Sequence, residues 1–290
     1  MKNLLRRSRQ WLLRPLAQSL QTQRDDLASF RRHTSALLED AVRGSATHSL
    51  DQLEDMLNRQ QLDFTETLER IASERLSFAR FGDGEFKSML RPSYNLRFQP
   101  GSPELAAELR SVFTDPHEDS RCLVGFPTLY RDLHWSRVWI DIWPEVRQLI
   151  HPSQVFGNAH VSRPILFQTL GGTGVSLWRS VWHGRKVVLV TGKNSRMTLS
   201  PELFDNVSEV TRIDSVAVDA FSDLPRVLGK IASFRDKDHL FLIALGPAGT
   251  ILASKLAKLG EQAIDVGHIS DSFETVFQGA EWPEKKPLTR

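Results

Sequence analysis

The chain has 290 residues, 40 % of them hydrophobic, a net charge of +2 and one cysteine. That size and apolar share supply a core of ordinary dimensions and exclude a disordered or fibrous chain. The lone Cys122 excludes an intramolecular disulfide and fits a reducing compartment, and the longest apolar run, Leu240 to Leu245, is far short of the roughly 20 residues that span a bilayer.

The charge is unevenly spread. The first 32 residues carry eight basic side chains against Asp25 and Asp26, a net of +6, which leaves −4 for the remainder. Residues 1–45 read as a polar-rich helix, with Leu5, Leu12, Leu16 and Leu20 near helical spacing, Trp11 beside them and a kink at Pro15. Such a basic head suits an anionic bilayer surface or a protein partner. No platform of aromatic and basic strand residues accompanies it, which argues against nucleic acid. Arg14 and Pro15 interrupt the stretch where a secretory signal would run, so a cytoplasmic placement is expected, with contact at the inner face of the membrane through the head. Gly44 to His48 reads as a break, and Ser49 with Gln52 as a capping box that opens a second helix. The stripe Leu50, Leu53, Leu57, Phe64, Leu68 and Ile71 packs that helix onto the body or permits self-association into a homo-oligomer. The expected division is a helical extension, 1–60, and a domain, 61–290.

From residue 76 onward strands and helices alternate. Strands are expected at 76–81, 121–126, 154–158, 186–191, 210–216, 239–245 and 262–266. Helices are expected at 102–113, 144–150, 165–182, 223–233 and 249–259. This alternation predicts an α/β fold with a Rossmann-like, mostly parallel sheet flanked by helices. Ligands of such sheets bind at the carboxyl ends of the strands, so the residues following each strand carry the chemistry.

After the first strand, Gly82-Asp83-Gly84-Glu85 reads as a tight turn with two carboxylates, suited to Mg²⁺ or Mn²⁺ shared with substrate phosphates; a plain solvated Asp-Gly turn has the same sequence. After the third come Asn158, His160 and Arg163, and after the fourth comes Arg196. Arginines there can grip phosphate oxygens in pairs. After the sixth, Gly246-Pro-Ala-Gly249-Thr250 opens a helix whose start would seat a phosphate; a βα turn that needs glycine for geometry alone reads the same. After the seventh come Asp265, His268, Asp271 and Glu274, any of which could act as a general base. Cys122 lies in an apolar run and reads as a core residue rather than a nucleophile.

Arg80-Phe-Gly-Asp-Gly-Glu85, Gly157-Asn-Ala-His-Val-Ser-Arg-Pro164, Leu245-Gly-Pro-Ala-Gly-Thr250 and Ile264-Asp-Val-Gly-His-Ile269 resemble the signature blocks of the GT-D-type glycosyltransferases, once catalogued as a bacterial domain of unknown function. The resemblance runs from residue 65 to 280. It implies a nucleotide-sugar donor such as UDP-glucose, a glycan or glycoprotein acceptor in bacterial surface-glycan synthesis, and a metal-binding DxE motif at Asp83 and Glu85. It further implies a donor site at Arg80, Asn158, Arg163, Arg196, Gly246 and His268, to which Gly82, Gly249 and Thr250 of the same blocks are added as substrate-binding candidates. Among the four possible bases, Asp265 and His268 lie closest to a strand end and are the catalytic candidates. The chain departs from the family pattern at Thr191, where a Glu is frequent, in 198–202, in the Gly246-Pro-Ala-Gly249 turn and in 270–274. Thr191 and the long helical head motivate the alternative, a non-catalytic nucleotide-sugar or glycan-binding scaffold.

Overall fold

The computed structural model describes residues 2–115, 121–235 and 237–286, apart from the side chains of residues 2–14, 16 and 17. The shared face expected for Leu5, Trp11, Leu12 and Leu16 lies outside the described side chains. Two compact units are distinguished: residues 1–51 with 130–141, and residues 52–129 with 142–290.

In the first unit the dominant element is α1 (Lys2–Gln60), which passes through Pro15 and Gly44 without interruption. The expected break at 44–48 and the Ser49 cap are therefore absent. Ala46 is fully buried, Leu50 nearly so, and Thr47 spends its hydroxyl on the carbonyl of Arg43, so packing offsets the roughly 1 kcal/mol that glycine costs a helix. Within the same unit Trp135 stacks on Trp139 and Tyr130 packs against Trp135.

The second unit holds the sheet. Its elements follow as α2 (Phe64–Ser73), β1 (Ser77–Arg80), α3 (Asp83–Leu90), α4 (Pro103–Thr114) and β2 (Cys122–Phe126). Next come α5 (Leu133–Val146, begun in the first unit), β3 (Gly157–Asn158), α6 (Pro164–Leu170), α7 (Gly172–Trp182), β4 (Lys186–Gly192) and α8 (Pro201–Phe204). The last are β5 (Glu209–Ser215), α9 (Leu224–Ile231), β6 (His239–Ala244), α10 (Pro247–Lys258), β7 (Gln262–Asp265) and α11 (Ile269–Phe277). Among the described residues seven strands form one sheet in the order β3-β2-β1-β7-β6-β4-β5, and every pairing is parallel.

All seven expected strands are present. Three helical expectations change. Residues 144–150 are the end of α5 and a turn, not a helix of their own. The helix expected at 165–182 is broken at Gly171, whose φ of +51° no helix interior accepts. The Gly82–Glu85 segment is no tight turn: Gly82 has an extended φ of −115° and caps α3, which starts at Asp83.

Strand alternation divides the core. One face of the sheet carries Phe78, Leu189, Leu242 and Ile264 against Trp178 and Trp182 of α7 and Phe273 of α11. Beside β1 and β2, Phe81, Phe86, Phe113, Phe126 and Phe156 form a second cluster of fully buried rings at centroid spacings of 5.1–6.4 Å. Cys122 is buried, and burial raises its thiol to about 12, so it is a packing residue. No helix among the described residues is long and apolar enough to cross a membrane.

Candidate functional site

The chain leaves β1 for β2 and β3 on one side of the sheet, then crosses to β4 and returns through β6 to β7, beside β1. The carboxyl ends of β1 and β7 therefore flank the switch point where a parallel sheet opens its crevice. Arg80 ends β1 and Asp265 ends β7. The Arg80 guanidinium donates from Nε to the carbonyl of Ala159 (2.9 Å) and lies 4.0 Å from Asp265. Its Nη1 is buried with no hydrogen-bond partner. Asp265 accepts from the Gly267 amide (3.0 Å) and from the Thr250 hydroxyl (3.3 Å), which also donates to the Arg80 carbonyl (2.8 Å). Burial raises the Asp265 pKa, opposed by Arg80 and these two donors. Gly267 sits at a φ of +48°, and a Cβ there would collide with the Arg80 guanidinium, so a glycine is required.

Asp83 and Glu85 lie in the first turn of α3, where acids complement the helix dipole. They face different surroundings. Asp83 is partly exposed and 3.6 Å from Lys87. Glu85 folds back to accept from the Gly82 amide (2.9 Å), and burial, then the nearby Asp265, raise its pKa to about 7. Two hard oxygen donors on one turn, one of them a carboxyl held partly neutral by burial, could hold a divalent cation shared with phosphate. Among the described residues no cluster of three or more acidic, histidine or cysteine ligands adds to them.

The β3 end is tightly organised. The Asn158 side-chain oxygen accepts from the His160 amide (2.9 Å) and the Thr128 hydroxyl (3.0 Å). His160 Nδ1 accepts from the Thr128 amide (3.1 Å), which fixes a neutral ring; burial, with Arg163 and Arg80 nearby, holds its pKa well below the usual value. Asn158 is thus first a loop-shaping residue.

At the start of α11, His268 is half exposed, and its Nδ1 faces Asp271 at 3.6 Å. Partial burial lowers its pKa, with Arg163 and Arg80 adding to the fall and Asp271 opposing it. Asp271 also binds Lys286 (2.7 Å) and Arg196 (3.1 Å). Burial would raise its pKa, but these cationic and imidazole partners outweigh it and the net shift is downward. The C-terminal segment reaches the same groups: Glu284 forms an ion pair with Arg163, Lys286 binds Glu274 (3.0 Å), and the Pro283 carbonyl lies 3.5 Å from Arg196. Nothing in the charged run Glu284-Lys-Lys286 distinguishes it from a solvated tail in sequence.

The start of α10 differs from expectation. Gly246 has the positive φ (+57°) that its position requires, but Phe98 lies against it, and Pro247, Ala248, Gly249 and Thr250 are all buried. The amides of Gly249 and Thr250 bond to the Gly246 carbonyl, and the Thr250 hydroxyl is committed to Arg80 and Asp265. This helix start braces β1 against β7, and the glycine at 246 is required there by backbone geometry. The structure thus brings Arg80, Gly82, Glu85, Thr250 and Asp265 into one group and Arg163, Arg196 and His268 into another, with Asp83 on the partly exposed face of α3.

Among curated proteins, the chain is 27 % identical over 260 residues to glycosyltransferase GlyD of Streptococcus pneumoniae serotype 4, covering 86 % of this chain and 31 % of that protein. It is 26 % identical over 232 residues to the probable glycosyl transferase Gly of Streptococcus gordonii, covering 76 % and 33 %. The chain spans about a third of the length of these relatives. Among solved structures, a domain of unknown function 1792 described as having a distinct glycosyltransferase fold aligns with a TM-score of 0.73 at 24 % identity, over 84 % of this chain and 89 % of that one. A new glycosyltransferase of the same domain type from Streptococcus sanguinis aligns with a TM-score of 0.67 at 25 % identity, over 76 % and 85 %. The model of the glycosyltransferase GT-D fold matches residues 78–289, a span that holds every strand-end group from Arg80 to Lys286, and the chain belongs to that family.

Proposed function

We propose that residues 61–290 form a metal-dependent glycosyltransferase domain that moves a hexose from a UDP-sugar to a hydroxyl of a glycan or glycoprotein acceptor. The observation that carries this reading is the crevice between β1 and β7, where a buried arginine with an orphaned Nη1 meets a helix start bearing two carboxylates. Asp83 and Glu85 would hold Mn²⁺ or Mg²⁺, whose charge stabilises the departing diphosphate. Arg80, Arg163 and Arg196 bind donor phosphate oxygens. In an inverting reaction the acceptor oxygen bonds to the anomeric carbon as the bond to the diphosphate breaks, and the hydroxyl proton goes to a base. His268 suits that role better than Asp265. Its lowered pKa leaves it neutral at physiological pH, its ring is half exposed, and Asp271 faces Nδ1 so that Nε2 can accept. Asp265 has both oxygens engaged and positions Arg80 and the Gly267 turn.

The test is UDP release from a panel of UDP-sugars with Mn²⁺, with and without EDTA, and with Asp83→Ala as control. Slow hydrolysis that needs the metal and is lost in the variant is expected. No hydrolysis of any donor and no donor binding by calorimetry would overturn the reading. Binding without turnover would favour a nucleotide-sugar-binding scaffold, for which the contacts of Glu284 and Pro283 with Arg163 and Arg196 speak, since they cover cations the donor would need.

A further inference from the structure

On α1, Leu20, Leu27, Phe30, Leu37 and Leu38 are 50–67 % exposed, and the first four fall on one face of the helix, with Leu38 at its border. Large apolar residues scattered singly need no explanation, but a continuous stripe does. The spacing is that of a heptad. With Leu20 at position a, Leu27 is the next a, and Phe30 and Leu37 are d residues. In sequence, Leu13, Leu16 and Ala41 continue the same register, with Gln23 and Thr34 as its two polar members. The seam therefore runs over four heptads from residue 13 to 41, roughly 40 Å of helix. It starts only after Arg6 and Arg9, which would stand at the preceding a and d positions.

We propose that this stripe is the seam of a parallel two-stranded coiled coil formed with a second copy of the same chain. The flanking charges select both the occupant and the direction. Asp26 falls at g and Arg31 at the e position five residues on, the pair that meets across a parallel seam between identical helices. Neither has an ion-pair partner among the described residues, so both are available. The antiparallel alignment that keeps Leu20 opposite Leu37 and Leu27 opposite Phe30 instead sets Arg24 of one copy against Arg31 of the other, a like-charge contact. Gln23 at a d position meets its own counterpart in the parallel pair, the kind of single polar contact that fixes register. Opposite charges bordering the stripe suit a protein partner, whereas an anionic bilayer attracts cations alone.

The experiment is light scattering on the full chain, paired with cysteine cross-linking. Twice the chain mass of 32.9 kDa is expected, falling to that of one chain in the Leu27→Asp/Phe30→Asp double variant. Both replaced side chains are exposed, so the circular dichroism and melting of the remainder should not move. Gln23→Cys should give a covalent dimer under mild oxidation, since Cys122 is buried and does not compete. A monomeric wild type at all concentrations, or a dimer that survives the double variant, would overturn the proposal. So would cross-linking only between Gln23→Cys and Thr34→Cys chains when mixed, the antiparallel product. A monomer whose binding to anionic vesicles is lost in the double variant would also overturn it and assign the stripe to a membrane surface.

Discussion

Replacing Glu85 by glutamine should stabilise the protein at alkaline pH while abolishing its chemistry. The Glu85 carboxyl titrates at about 7 in the folded chain against an ordinary 4.5, so between those values the folded state binds more protons than the unfolded one. Stability must then fall as pH rises through that window, and the penalty is complete above 7. A rise from 4.5 to about 7 corresponds to roughly 3 kcal/mol. The side chain keeps some contact with solvent, which reduces this to about 2 kcal/mol. Glutamine keeps an acceptor for the Gly82 amide and carries no charge. Unfolding free energies from urea denaturation should therefore nearly coincide for the two proteins at pH 4 and differ by about 2 kcal/mol at pH 8, with the variant more stable. Mn²⁺ should raise the wild-type midpoint at pH 8 and leave the variant's much less affected, because the ion stabilises only the carboxylate. Parallel curves at both pH values would refute the burial argument, and equal stabilisation of both proteins by Mn²⁺ would refute Glu85 as a metal ligand.

Gly267→Ala should cost about 2–4 kcal/mol and disable donor binding, because it combines a positive φ with a collision on Arg80; a melting temperature equal to wild type would show that Arg80 can move aside. His268→Gln should lower transfer by about 10²–10⁴-fold with little change in UDP affinity, and the fall in rate below the wild-type histidine pKa should disappear from the pH profile; a parallel loss of UDP affinity would make His268 a binding residue instead. Glu284→Gln should tighten UDP binding measured by calorimetry, since it releases Arg163 from an internal anion; an unchanged or weaker Kd would show that the segment does not compete with the donor.

What could be read in the sequence followed the strength of the local signal. Strands such as Val187 to Val190 and Leu240 to Ile243 are continuous apolar runs between glycine-bearing turns, as strands buried on both faces must be. The blocks around Arg80, Asn158 and Asp265 do converge, because each follows a strand and parallel strands all end on the same side. The first turn of α3 was hidden by its glycines. Gly82 and Gly84 read as a turn, whereas one serves as an extended N-cap and the other lies within the helix, with acids favoured by the dipole outweighing the glycine penalty. The burial of Ala46 likewise carries α1 through Gly44, a tertiary effect that no local rule contains. The helix of 133–146 carries a legible signal, since Trp135, Trp139, Ile142 and Trp143 sit at helical spacing, and the expected 144–150 covers only its end. The return of Glu284 and Lys286 to Arg163 and Asp271 has no sequence signal at all, because a charged tail pairs with whatever the fold leaves uncompensated.

Glu85 and Asp265 share one cation, Arg80. Burial raises the pKa of both, Asp265 adds to the rise at Glu85, and the single Arg80 guanidinium opposes both rises. Arg80 cannot turn wholly to either, since its Nε is held by the Ala159 carbonyl and its flank by Gly267. The crevice is thus short of one positive charge and holds one unused N–H donor. A diphosphate alone would satisfy the donor and worsen the charge; a divalent cation alone would correct the charge and leave the donor idle. A metal–diphosphate complex would answer both, so under the proposed function UDP is expected to bind weakly until Mn²⁺ is present. Calorimetry of UDP with and without Mn²⁺ on wild type and Arg80→Lys tests it. Lysine restores the charge but not the second N–H direction, so the metal-dependent gain in affinity should shrink in the variant. An equal gain in both proteins would show that the orphaned Nη1 takes no part in binding the complex.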